Sequence, residues 1–181
     1  MGWKRLESTT VYENDWMAVR DDRVINPGGG ENRYGYVHFK NRAVAIIPLS
    51  PELDVWLVGQ ERYTFGAWFW ELPMGGAPKD EPALEAAKRE LREETGLSAE
   101  RWTRIMTLHP SNSITDEVGY VFLAQELTVG EPDFEETEDL EIRRLPLAEA
   151  LAMIDAGEIT DAISVAALLK VAAEFRTTSL R

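Results

Sequence analysis

Apolar positions along the chain recur first at strand spacing and later at helix spacing. Thr9 to Tyr12 and Trp16 to Arg20 are rich in β-branched and aromatic residues, and Glu13-Asn14-Asp15 between them is a turn signal, so two strands are predicted. Pro27-Gly28-Gly29-Gly30 interrupts the pattern before a third strand at residues 34–39. A glycine-rich phosphate loop needs a strand-to-helix transition and a closing Lys-Ser/Thr. Neither follows here, so the run is read as a simple loop. Residues 43–49 and 55–58 are nearly continuous apolar segments and read as paired strands joined by a turn at residues 50–54. Residues 80–95 read as a helix, with Asp80 to cap it, Pro82 in its first turn and Gly96 to end it. Tyr120 to Ala124 form a buried-type strand, residues 130–141 an acidic, proline-containing loop, and residues 147–156 and 162–175 two further helices. Strands followed by helices, with one helix inserted mid-sheet, predict an α/β sandwich rather than a regular βαβ repeat.

Length and composition narrow this picture. The 181 residues suffice for one compact domain with a small appendage, and 44% hydrophobic with 28% charged residues is ordinary globular composition. No apolar run approaches the roughly 20 residues that span a bilayer. The N-terminal residues lack the apolar stretch and cleavage site of a signal peptide. The absence of cysteine excludes disulfides and thiolate metal sites and suits a reducing cytoplasm, where the protein is expected. A net charge of −13 argues against nonspecific binding to nucleic acid or anionic membranes. It also requires that any phosphate-bearing ligand be met by local cations: arginine, backbone amides or metal.

The chemistry concentrates in the central helix. Glu90, Glu93 and Glu94 fall at helical spacings of three and four and share one sector, while Ala83, Leu84, Ala87 and Leu91 form the opposite, apolar face. Like charges so placed cost an isolated helix roughly 0.2–0.5 kcal/mol per pair. Mg²⁺ takes one or two protein carboxylates and completes its shell with phosphate oxygens and water. A salt-bridged solvent face, with Lys88, Arg89 and Arg92 interleaved among the glutamates, has the same spacing. The helix alone leaves both readings open.

Its flanks add information. Gly75, Glu81, Arg89-Glu90-Leu91, Glu93-Glu94 and Gly96-Leu97 fill every specified position of the Nudix box. The chain thus resembles the Nudix hydrolases, which implies an α/β/α sandwich with a mixed central sheet and an N-terminal antiparallel strand extension. The resemblance also implies roles. Glu90 and Glu94 become the principal metal ligands, Glu93 a further ligand or a base, and Arg89 the group that orients them. Glu81 supports the loop, and Gly75 gives a tight turn that brings backbone carbonyls, Met74 among them, toward Mg²⁺ or Mn²⁺. Arg89 and Glu93, four apart, can form a charge-assisted bond.

Beyond the box, Leu57 to Tyr63, Trp70-Glu71-Leu72-Pro73-Met74 and Gly157 to Ala162 resemble the ADP-ribose and nucleoside-diphosphate-sugar pyrophosphatase branch. That likeness implies two regions, residues 1–39 for dimerisation and base binding and residues 40–181 for hydrolysis, in a homodimer. Trp3, Tyr12, Trp16, Tyr34 and Tyr36 are candidates for holding the base, foremost Trp16 and Tyr36, although aromatics are favoured in strands anyway. Arg62 becomes the diphosphate-contacting arginine. A loop base falls at Glu136 or Glu138, within a segment that equally reads as an acidic solvated loop. Where the branch carries a proline after the box, this chain has Asn112, followed by Ser113, so substrates broader than ADP-ribose are implied. The expected reaction is Mg²⁺-dependent cleavage of a nucleoside-diphosphate sugar into a nucleoside monophosphate and a sugar phosphate. A hydrolase of nucleoside triphosphates or dinucleotide polyphosphates, and a noncatalytic nucleotide sensor, are the alternatives.

Overall fold

In the computed structural model, residues 2–133 and 139–178 are described, the last three as backbone only. Strands β1 (Lys4–Glu13), β2 (Met17–Ile25) and β3 (Glu31–Phe39) form a three-stranded antiparallel meander. Asn14 turns the first hairpin by accepting the Trp16 and Met17 amides on its side-chain oxygen at 2.9 Å each. The glycine-rich run closes the second hairpin, around the Asn26 carbonyl and carboxamide, as the loop reading requires. β1 is exposed along its whole length.

The central sheet has the order β7-β4-β9-β8: β7 (Met74–Ala77), β4 (Arg42–Pro48), β9 (Gly119–Val129) and β8 (Leu97–Leu108). β4 and β9 run parallel, and both outer pairs are antiparallel. A second sheet has the order β10-β5-β6, from β10 (Glu141–Pro146), β5 (Asp54–Arg62) and β6 (Ala67–Glu71). The expected pairing of segments 43–49 and 55–58 is therefore corrected: only Leu49 and Val55 bridge, and β4 and β5 then part into different sheets. Both strands are buried on both faces, so each needs helices or strands on two sides rather than one hairpin partner.

Alternation along β4 builds the layers. Val44 and Ile46 pack with Ala86, Ala87 and Leu91 of α1 (Ala83–Thr95). Ala45 and Ile47 face Met153 of α2 (Leu147–Ala156) and Ile163, Leu168 and Val171 of α3 (Ala162–Thr178). Each fully buried Ile or Leu of these clusters contributes about 1.5–3 kcal/mol. The two helical faces on a mixed sheet give the α/β/α sandwich.

Helix α1 begins at Ala83, three residues later than its sequence suggests, and Asp80 does not cap it. Pro82 takes φ −58° and ψ 127°, and its carbonyl accepts the Glu85 and Ala86 amides. A proline also steers the residue before it out of the helical region, so 80 and 81 cannot extend the helix backward. Gly96 ends α1 as expected, at φ 70°, with its amide on the Arg92 carbonyl at 2.8 Å.

Candidate active site

Two carboxylates of α1 are nearly removed from solvent: Glu90 is 8% exposed and Glu94 3%. β7 lies against them. The Met74 amide donates to Glu94 Oε2 at 2.9 Å. A Cβ on Gly75 would stand 2.2 Å from the Glu90 carboxyl carbon, closer than side-chain carbons come. Gly75 therefore works as empty space in an extended strand, not as the expected tight turn.

Arg89 ties the cluster together. Its Nη1 donates to Glu90 at 2.8 Å and to Glu93 at 3.0 Å, and its Nη2 to the Gly76 carbonyl at 3.1 Å and Glu81 at 3.4 Å. Burial opposes the guanidinium charge, but Glu90, Glu93 and Glu81 overcome it and hold its pKa above the ordinary arginine value. Glu93, placed between Arg89 and Arg92, is engaged by arginine on both oxygens. Arg42 secures the preceding turn by donating to the Pro78 and Glu81 carbonyls at 2.6 Å each.

Among the described residues, no three His, Cys, Asp or Glu side chains stand together as a protein-only metal cage. Two buried carboxylates are instead the kind of donor set that Mg²⁺ or Mn²⁺ completes with phosphate oxygens and water. Glu90 and Glu94 fit such an ion, while the Met74 group seen at Glu94 is its amide N–H, a donor and not a metal ligand.

Next to this helix lies a cavity of about 750 Å³, lined by Arg62, Glu71, Glu117, Thr160, Asp161 and the rings of Phe65 and Phe69, among others. Arg62 forms a two-pronged pair with buried Glu71. The hydrogen bond to Glu71 raises the Arg62 pKa against the pull of burial, and the charges of Glu94 and Asp161 add to it. Arg62, which lines the cavity, thus feels the charge of Glu94 on the acidic helix. Burial first, and Asp161 second, push the Glu117 carboxyl above its ordinary value.

Glu117 ends a loop sewn to the N-terminal sheet. The Val37 amide donates to the Ile114 carbonyl at 2.9 Å, the Phe39 amide to Asp116 at 2.9 Å, and the Tyr34 hydroxyl to the Ser113 carbonyl at 2.6 Å. His38 also bonds Asp116. Burial works upward on Asp116, yet the His38 and Phe39 hydrogen bonds prevail and lower its pKa.

The structure thus gathers Met74, Arg89, Glu90, Glu93 and Glu94 at one place and sets Arg62 beside them. Asn112 and Ser113 are exposed on the sewn loop. Trp16 is 71% exposed at the β1–β2 turn, and Tyr36 lines a separate hollow on the N-terminal sheet with Arg5, Arg20 and His38. Glu136 and Glu138 lie outside the described residues. Sequence reasoning missed Glu117, Asp161, Phe65 and Phe69 as site residues, and did not place Glu71 there. Glu71 sits in the Trp70-Glu71-Leu72-Pro73 run, and a charged residue inside an apolar strand is its available signal.

An acidic helix braced by arginine over a glycine-bearing strand is the architecture of a phosphoanhydride hydrolase, and the comparisons with known proteins agree. The NUDIX domain family matches residues 39–167, and the family described as nucleoside diphosphate sugar hydrolase N-terminal domain matches residues 3–37. The chain belongs to the Nudix family and is a Nudix pyrophosphatase. It is 37% identical over 174 residues to an ADP-ribose pyrophosphatase of Mycobacterium tuberculosis, covering 93% of this chain and 83% of that one. To an ADP-ribose pyrophosphatase of Bacillus subtilis it is 34% identical over 161 residues, covering 88% and 86%. A crystal structure of an ADP compounds hydrolase superposes with a TM-score of 0.87 at 23% identity, covering 98% of this chain and 96% of that one, which shows the shared fold.

Proposed function

We propose that the protein hydrolyses the diphosphate of nucleoside-diphosphate sugars, ADP-ribose among them, to a nucleoside monophosphate and a sugar phosphate. The observation that carries this reading is the pair of buried carboxylates, Glu90 and Glu94, with Arg62, which feels the Glu94 charge, lining a cavity of about 750 Å³. The names of the relatives in M. tuberculosis and B. subtilis support the substrate class.

Glu90 and Glu94 would hold Mg²⁺ or Mn²⁺, which when bound neutralises the diphosphate and lowers the pKa of water. Arg62 meets the diphosphate with a guanidinium that Glu71 keeps oriented. Arg89 fixes the Glu90 carboxylate so that its geometry is set before substrate arrives. Water adds to one phosphorus, the bridging P–O bond breaks, and the leaving oxygen departs on the other phosphate. Glu93 is a candidate to accept the proton of that water, as are Glu136 and Glu138. Trp16 and Tyr36 are proposed to hold the base, and residues 1–39 to join two chains. Exposed Asn112 supplies hydrogen-bonding groups in place of a rigid proline, which favours several sugars over ADP-ribose alone.

The test is turnover of ADP-ribose, GDP-mannose, UDP-glucose and ATP by the purified protein with Mg²⁺. The expected result is hydrolysis of several diphosphate sugars. A preference for ADP-ribose beyond about a thousandfold, roughly 4 kcal/mol in transition-state binding, would remove the role of Asn112. Turnover of ATP alone would overturn the sugar reading.

A further inference from the structure

We propose that Glu117 and Asp161 form an anionic wall in the Arg62 cavity that admits an uncharged, hydroxyl-rich group beyond the diphosphate and turns away a distal phosphate or carboxylate. The inference deepens the nucleoside-diphosphate-sugar reading and rests on it.

The cavity presents three kinds of surface. Arg62 lines the cavity, oriented by Glu71 and within reach of the Glu94 charge, so the diphosphate end of a ligand belongs there. Phe65 and Phe69, with ring centroids 5.3 Å apart, give an apolar face suited to the C–H side of a sugar ring. Glu117, Asp161 and Thr160 give acceptors for hydroxyl groups. Among the described residues lining the cavity, the cation is Arg62, and Glu71 already pairs with it. A second anionic group on the ligand would therefore meet two carboxylates and no further cation of the lining. Like charges several ångströms apart in a partly buried site repel by enough to cost more than about tenfold in rate or affinity.

The backbone before Glu117 and the carboxylate of Asp161 are both anchored, which places the two charges at the cavity wall. Glu117 follows the loop sewn to β3 through Val37, Phe39 and His38. Asp161 accepts the Ser164 amide at 2.8 Å where α3 begins. The Asp161 carboxylate is thereby fixed toward the start of α3, and Glu117 enters the cavity from a tied backbone. Glu117 is also desolvated and faces the Asp161 charge, so a hydroxyl donor relieves it and another anion does not.

The test compares kcat/KM for ADP-ribose and for ADP-ribose carrying an extra phosphate on its distal ribose, with Mg²⁺ present. The wild-type protein is expected to prefer the unphosphorylated compound by more than about tenfold, and the preference to shrink as salt is raised. Glu117→Gln and Asp161→Asn each remove a charge at constant size, and asparagine still caps α3. Each is expected to narrow the preference by about threefold or more. A merely structural role would lower both substrates together and leave the ratio and its salt dependence unchanged, and that result overturns the proposal. Equal turnover of both compounds by the wild-type protein overturns it as well, while leaving the sugar reading intact. Turnover of neither overturns the sugar reading and the wall with it. If Glu117→Gln fails to fold, Asp161→Asn alone decides.

Discussion

Replacing Gly75 with alanine should injure both the fold and the chemistry, because the added methyl has nowhere to go. Its carbon would lie 2.2 Å from the Glu90 carboxyl carbon and 2.3 and 2.4 Å from the two oxygens. Ordinary contact is about 3.5–4.0 Å, so something must move by more than an ångström. The carboxylate is the movable part, but it is buried and bonded to Arg89, which in turn holds Glu93, Glu81 and Gly76. Overpacking of this kind costs about 1–3 kcal/mol. For a protein of this size each kcal/mol lowers Tm by about 2–4 °C, so a fall of about 2–12 °C is expected. Activity should suffer more. A misplacement of about 1 Å in a positioned group costs on the order of a hundredfold in rate. Urea unfolding gives the first number and kcat on a diphosphate sugar with Mg²⁺ gives the second. A Gly75→Ala protein with wild-type kcat would show that the position of Glu90 is irrelevant to catalysis, and the site assignment would fall.

Other outcomes follow from the same geometry. Glu94→Gln should keep its bond to the Met74 amide and its fold, because the amide oxygen still accepts, yet lose turnover by orders of magnitude, since a neutral amide is a poor Mg²⁺ ligand; near-normal turnover with normal metal dependence would refute its role. Treatment with a chelator should abolish hydrolysis and added Mg²⁺ or Mn²⁺ restore it, with activity in the metal-free protein as the contrary result. Glu117 has a folded pKa raised above its unfolded value, so its charge destabilises the fold as pH rises through that window. Glu117→Gln should therefore melt higher than wild type at pH 7 and match it at pH values below the ordinary carboxylate range; the reverse pH trend would contradict the assignment. Residues 1–39 carry Trp3, Val11, Tyr12 and Trp16 at 52–71% exposure, an apolar surface that fits a self-association face. Sedimentation should find a dimer at micromolar concentration, and a fully active monomer would remove that expectation.

Local features of the chain were decided by local physics and could be read from it. Gly96 ends α1 because its backbone takes a left-handed turn that other residues avoid, and the spacing of Arg89, Glu90, Glu93 and Glu94 puts them within reach of one another on any helix. The alternation that buries Val44 and Ile46 on one side and Ala45 and Ile47 on the other is likewise written in the order of residues, though which helix covers each face is not. Contacts between distant segments needed the tertiary structure. Nothing near Gly75 in sequence announces that its missing side chain makes room for a glutamate fifteen positions on. Glu117 and Asp161 lie 44 residues apart in segments with no shared pattern, and only the sewing of the 111–117 loop to β3 and the capping of α3 set them around one cavity with Arg62. The split of β4 and β5 into separate sheets has the same origin: a run buried on both faces states that it needs partners, while the choice of partner is made by the packing of the whole chain.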